Sequence, residues 1–117
     1  MTPIYILAGV RTAIGDFGGS LKDCPPATLG AAVIAEAIAR AGVAADQIGH
    51  VVMGNVIPSE PKDAYLARVA AVEAGIPVEV PALTLNRLCG SGVQAIISAA
   101  QILALDECDF AVAGGAE

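Results

Sequence analysis

The stretch from Val93 to Leu105 carries no charged residue. Its only polar side chains are Gln94, Ser98 and Gln101, and their spacing of four then three puts them on one narrow stripe of a helix. Every other position is apolar. A helix that is apolar nearly all round has to be covered on more than one side. A single sheet covers only one side, and no other segment of the chain is left over to cover the rest. The pattern therefore calls for a second layer, supplied by another domain of a longer chain or by a partner subunit.

The remaining segments read as the sheet and its crossovers. Pro3 to Val10 is a short apolar run rich in β-formers, read as a buried strand. Residues 11–27, with Gly15, Gly18, Gly19, Pro25 and Pro26, read as a loop. Thr28 is expected to cap a helix over Leu29 to Ala41 that stops at Gly42. After a short turn at Asp46, Gly49 to Val56 reads as a second strand, ended by Pro58 and Pro61. A second helix is expected from about Asp63 to Ala74, with Gly75 as its stop. Pro77 and Pro81 bracket a connector into a third strand, Ala82 to Leu88. The uncharged third helix then runs from near Cys89 to Leu105, and Phe110 to Ala113 reads as a fourth strand. Alternation of this kind predicts an α/β fold with a mainly parallel sheet and crossover helices.

Composition agrees with that class and excludes others. The 117 residues are 56% apolar but only 3% aromatic, the small-residue palette that lets helices sit close on a sheet and is far too apolar for disorder. The net charge of -6 with scattered basic residues leaves no footprint for nucleic acid. The acidity reads as solubility, so a basic surface for an anionic ligand would have to lie elsewhere. Charge, glycine and proline interrupt the apolar segments, so none reads as a membrane span, and the N-terminus has no leader pattern. Those features predict a cytoplasmic protein. Three cysteines without a CxxC pair, and the single histidine His50, make a zinc site unexpected and the thiols reduced.

The chemistry concentrates at Asn86-Arg87-Leu88-Cys89-Gly90-Ser91-Gly92. A cysteine at a strand-to-helix junction sits near the positive end of the helix dipole, a setting that favours the reactive thiolate. Gly90 and Gly92 clear space beside the sulfur, and backbone N–H groups of such a turn can stabilise an oxyanion. The competing reading is a buried, inert cysteine, the commoner fate of free thiols. Cys24, beside two prolines, and Cys108, among acidic residues that disfavour a thiolate, read as incidental.

The nucleophile segment resembles the catalytic-cysteine motif of thiolases, the acyl-CoA acetyltransferases. Arg11-Thr12-Ala13-Ile14-Gly15-Asp16-Phe17-Gly18-Gly19 is similar to that family's N-terminal signature, Met53-Gly54-Asn55-Val56 to its second strand, and Ala113-Gly114-Gly115-Ala116-Glu117 to its fourth. The likeness covers the whole chain in order. The segment after Val56 departs from the commonest pattern and looks more like the β-ketothiolase branch, which also accepts acyl chains longer than acetyl.

The resemblance implies that residues 1–117 are part of an N-terminal domain. They would end before its final strand, with loop and C-terminal domains to follow and a layered αβαβα arrangement in the complete protein. It implies Cys89 as the acyl-carrying nucleophile, with Gly90, Ser91 and Gly92 as the scaffold of its loop. It also implies acyl-CoA thioesters as substrates, no metal or redox cofactor, and a homo-oligomer. The family's activating histidine, second cysteine and water-holding asparagine lie in motifs that this sequence does not contain. His50 falls outside any family motif and reads as a strand-end residue. Arg87 reads as a surface or interface salt bridge before a phosphate ligand, and the Gly15/Gly18/Gly19 loop does not match a phosphate-binding pattern. Two alternatives stay open. One is a non-catalytic remnant that binds or assembles through its third helix; the other is a ketoacyl-synthase-like relative.

Overall fold

Pro25 and Pro26 open the first helix instead of preceding it. In the computed structural model, which describes residues 2–117, α1 spans Pro26–Ala41 with Pro25 as its N-cap, three residues ahead of the cap predicted at Thr28. Proline suits a first helical turn because its missing N–H would have no intrahelical acceptor there and its φ is already helical. The Thr28 and Leu29 N–H groups donate to the Pro25 carbonyl, and no side chain caps the end. At the other end the prediction holds. Gly42 takes φ 68°, its N–H donates to the Ala39 carbonyl, and the Val43 N–H reaches back to Ile38. That left-handed cap satisfies the last carbonyls of the helix.

A 3-10 turn at Ala45–Gln47 leads into β1, Ile48–Gly54. The second predicted helix is split. Pro61–Tyr65 is a 3-10 turn and α2 proper is Leu66–Glu73. The split has a polar cause: the Asp63 carboxylate accepts from the Ser59 N–H, the Ser59 hydroxyl and the Glu60 N–H, which ties the segment into a tight local turn. β2 is Ala82–Leu85, α3 is Ser91–Ala104 and β3 is Phe110–Gly115. The third strand is thus shorter than predicted, and the third helix starts two residues after Cys89.

The sheet is parallel throughout, in the order β2-β1-β3. Val51 stands opposite Ala82 on one side and Val112 on the other. Because side chains alternate along a strand, β1 serves two cores. Ile48, Val51 and Met53 face α1 and α2, where they bury Ala27, Ile34, Ile38, Leu66, Ala67, Ala70 and Ala71 with them. Val52 faces α3, against Ala95 and Ala99.

The sheet has three strands among the described residues, not the four predicted. Pro3–Val10 pairs with nothing, and Tyr5 and Ile6 are 75% and 83% exposed. A strand exists only through hydrogen bonds to a neighbour, so β-forming composition without a neighbour leaves an extended, unpaired segment. It borders a groove of about 550 Å³ whose opposite wall includes β3.

The uncharged helix behaves as its pattern requires. Only Ser91, Ala95 and Ala99 of α3 are buried, on the face toward the sheet. Val93, Ile96 and Ile97 stand open, at 65%, 48% and 44% exposure. The polar stripe is real too: the Gln94 amide donates to the Ser98 hydroxyl at 3.1 Å.

Candidate functional site: a cysteine turn at the strand ends

The turn from β2 to α3 is built by short polar side chains. Asn86 follows the strand and accepts the Leu88 N–H on its Oδ1 at 2.9 Å. Its Nδ2 donates to the Val56 carbonyl, tying the turn to the end of the neighbouring strand. Leu88 takes φ 51°, the left-handed region that a leucine rarely enters. The buried Ser91 hydroxyl accepts the Arg87 N–H at 2.8 Å and donates to the Leu88 carbonyl at 2.6 Å. Gly90 N–H to Arg87 and Ser91 N–H to Leu88 complete the closure.

Cys89 lies at the apex of this turn and is exposed, so this thiol is not buried in the chain. It lines a groove of about 690 Å³ with Gly54, Leu88, Gly92, Gly115 and Glu117. The groove lies at the carboxyl ends of the parallel strands, where open α/β sheets bind their ligands. Close approach makes it possible. A Cβ on Gly54 would fall 2.8 Å from Ser91 Cβ, so only glycine lets the start of α3 sit on the end of β1. The far wall is tied down by Asn55, whose buried amide donates to the Ala116 carbonyl at 2.9 Å. Ala116 N–H to Gly54 and Ile57 N–H to the Glu117 carboxylate add two further ties.

The predicted residues fare unevenly. Gly90, Ser91 and Gly92 do surround Cys89, and Ser91 is the most committed of them. The amides of Gly90 and Ser91, however, are spent on closing the turn, so they are not free to bind an oxyanion. The Cys89 N–H itself donates to no backbone carbonyl among the described residues. Asn55 and Asn86 were not singled out from sequence as ties. The usable signal for Asn86 was an asparagine two residues before a position that needs its N–H held, an Asx turn.

The other candidates stay apart from the site. His50 is near the start of β1, four residues before Gly54, which at strand rise is about 13 Å back along the sheet. Cys108 is half-buried, and burial first, then Asp109 and Glu107, push its thiol up from its ordinary value. The acidic neighbours act in the direction expected of them, and burial adds the larger share. Cys24 is half-buried in its loop. Arg87 hydrogen-bonds Gln94 and forms no ion pair among the described residues, so the surface form of the salt bridge expected of it is not made within them. The Gly15–Gly19 loop closes on itself through Gly19 N–H to Asp16. No group of three or more acidic, histidine or cysteine residues that could hold a metal occurs among the described residues, and no helix there is long and apolar enough to cross a membrane.

Comparison with known proteins places this geometry. Residues 4–117 match the family described as thiolase, N-terminal domain. A beta-ketothiolase of Cupriavidus necator is 62% identical over 114 residues, covering 97% of this chain and 29% of the relative. An acetyl-CoA acetyltransferase of the same bacterium is 44% identical over the full chain and 30% of its own length. Among solved structures, the acetyl-CoA acetyltransferase of Bacillus anthracis superposes with a TM-score of 0.89 at 43% identity, over 94% of this chain and 28% of that one. Human mitochondrial 3-ketoacyl-CoA thiolase, solved in complex with CoA, gives 0.88 at 38% identity over 92% and 27%. The chain therefore spans about three-tenths of the length of the relatives it matches.

Proposed function

The chain belongs to the thiolase family, as an N-terminal domain, and on that footing we propose that it supplies the nucleophile of an acyl-CoA acyltransferase. The observation that carries the proposal is the exposed Cys89 at the apex of a hydrogen-bonded turn, facing a groove at the strand ends.

In the reaction we propose, the Cys89 thiolate attacks the carbonyl of an acyl-CoA thioester. The bond from that carbonyl to the coenzyme A sulfur breaks, an acyl-cysteine forms, and the departing thiolate takes up a proton. In synthesis a second acetyl-CoA loses its α-proton, its carbon attacks the acyl group, and the Cys89 thiolate is expelled. In degradation coenzyme A cleaves a 3-ketoacyl chain by the reverse path. The thioester supplies the activation, so the chemistry calls for no metal or redox group. The unpaired Cys89 N–H is a candidate donor to the carbonyl oxygen as charge develops there.

The base is not within this chain's site, because His50 lies a strand length away. The histidine, the second cysteine and the enolate-stabilising groups would come from the remaining seven-tenths or so of a full-length relative. The same source would cover the open face of α3. Identity of 62% to a beta-ketothiolase against 44% to an acetyl-CoA acetyltransferase of the same bacterium supports the β-ketothiolase branch.

The test is intact mass and peptide mapping after acetyl-CoA is added to the complete gene product and to residues 1–117 alone. The expected result is one acetyl group on Cys89 in the former, absent from Cys89→Ala, and none on the shorter chain. An adduct on residues 1–117 would show that the turn acylates without the histidine. No adduct on Cys89 in either would overturn the proposal.

A further inference from the structure

We propose that the Ser91 hydroxyl is the positioning group of the nucleophile turn, acting on Cys89 through the backbone of Leu88. The proposal rests on the reading of Cys89 as nucleophile and adds a residue to it.

Leu88 pays a steric cost at φ 51°, and its side chain, 68% exposed, gains little packing in return. The conformation is therefore imposed from outside. Asn86 Oδ1 holds the peptide before Leu88 by its N–H, and Ser91 holds the peptide after it by its carbonyl, through its hydroxyl at 2.6 Å and more loosely through its own N–H at 3.0 Å. A peptide is planar and trans, so its carbonyl and N–H point opposite ways. By fixing the Leu88 carbonyl toward the start of α3, Ser91 fixes the Cys89 N–H away from it. That N–H, beside the sulfur, has no acceptor among the described residues. Ser91 is only 5% exposed, and its hydroxyl proton and one of its lone pairs are committed within the turn, so it has no proton aimed at a substrate. Strain held by surrounding bonds beside a reactive group is the expected signature of a pre-set site.

The experiment separates positioning from direct contact by rescue. Glycine enters the left-handed region without steric cost, so Leu88→Gly should restore a turn that has lost its hydroxyl. In the complete gene product, Ser91→Ala is expected to slow single-turnover acetylation of Cys89 about tenfold or more. Ser91→Ala/Leu88→Gly is expected to recover most of that rate. Unchanged acetylation in Ser91→Ala, or a loss that Leu88→Gly leaves untouched, would overturn the proposal. Alkylation of Cys89 by iodoacetamide across pH is followed in the same variants, because it does not require acetyl-CoA. If wild type is not acetylated, the functional reading fails by itself. The positioning role is then decided by whether the alkylation profile moves in Ser91→Ala and returns in the double variant. Should Ser91→Ala not fold, Asn86→Ala, at an exposed position, puts the same question to the other peptide. A loss restored by Leu88→Gly upholds the mechanism and an unrestored loss overturns it.

Discussion

The two faces of β1 are packed to different depths. Toward α1 and α2, Val51 and Met53 are sealed in a continuous core with Ile34 and Leu66, all at 1% exposure or less. Toward α3, Val52 is equally buried, but only Ala95 and Ala99 join it, while the outer residues of the same helix stand in solvent. The strand is common to both faces, so the difference lies in what covers the helices. α1 and α2 are amphipathic and turn polar residues outward. Glu36 and Arg40, for instance, form an exposed i,i+4 pair at 2.7 Å. α3 has almost nothing polar to turn outward. A finished face and an unfinished one can thus share one strand, and sequence pattern distinguishes them before any contact is known.

The contrast can be broken or sharpened in order of effect. The largest change should come from the finished face. Leu66→Ala deletes a fully buried side chain and is expected to cost about 2–5 kcal/mol in urea denaturation. A cost under about 1 kcal/mol would mean that this core is looser than its burial implies. Next comes the seam between the faces. Gly54→Ala forces a Cβ to 2.8 Å from Ser91 and should cost about 1–3 kcal/mol, with Cys89 alkylation altered as well because Ser91 is the residue displaced. Stability loss with unaltered Cys89 reactivity would uncouple the packing from the site.

A pH effect follows on the finished side. Burial alone would raise the Asp63 carboxyl, but hydrogen bonds from the Ser59 hydroxyl, the Ser59 N–H and the Glu60 N–H, with the Lys62 charge, outweigh it and hold the group below its ordinary 3.8. A carboxyl lowered in the folded state stabilises that state above the unfolded value. The contribution is lost as pH falls below 3.8 and through the folded value. Acid titration of the urea midpoint should therefore fall more steeply in wild type than in Asp63→Asn, and parallel curves would remove Asp63 from the account. The smallest change is expected on the open face. Ile97→Ala should move the stability of this chain by no more than about 0.5 kcal/mol, yet reduce its self-association in sedimentation, because the residue is 44% exposed. A cost like that of Leu66→Ala would show that α3 is already covered in solution.

Much of the fold was legible because it is local. The order of helices and parallel strands followed from periodicity and from glycine and proline placement, and Gly42 ends α1 where its position said it should. The turn at Cys89 was legible from its glycines, and Ser91 hydrogen-bonds within it. The misses share a cause. Helix starts moved because backbone bonds, at Pro25 for α1 and at Arg87 and Leu88 for α3, decided them, and pattern does not show those bonds. The oxyanion donors expected from the turn were consumed in closing it for the same reason. The ties made by Asn55 and Asn86 join residues 61 and 30 positions away, a separation no local motif records.

By itself the sequence determined the α/β alternation, the small-residue packing, the cysteine turn between strand and helix, and an α3 with almost nothing polar to turn toward solvent. Each depends on side chains within a turn or two of one another. Tertiary structure alone decided that Pro3–Val10 would stay unpaired and that Cys89 would face a groove shared with Gly54, Gly115 and Glu117. A strand needs a partner's hydrogen bonds and a helix face needs an opposing surface, and both are set by how distant segments meet.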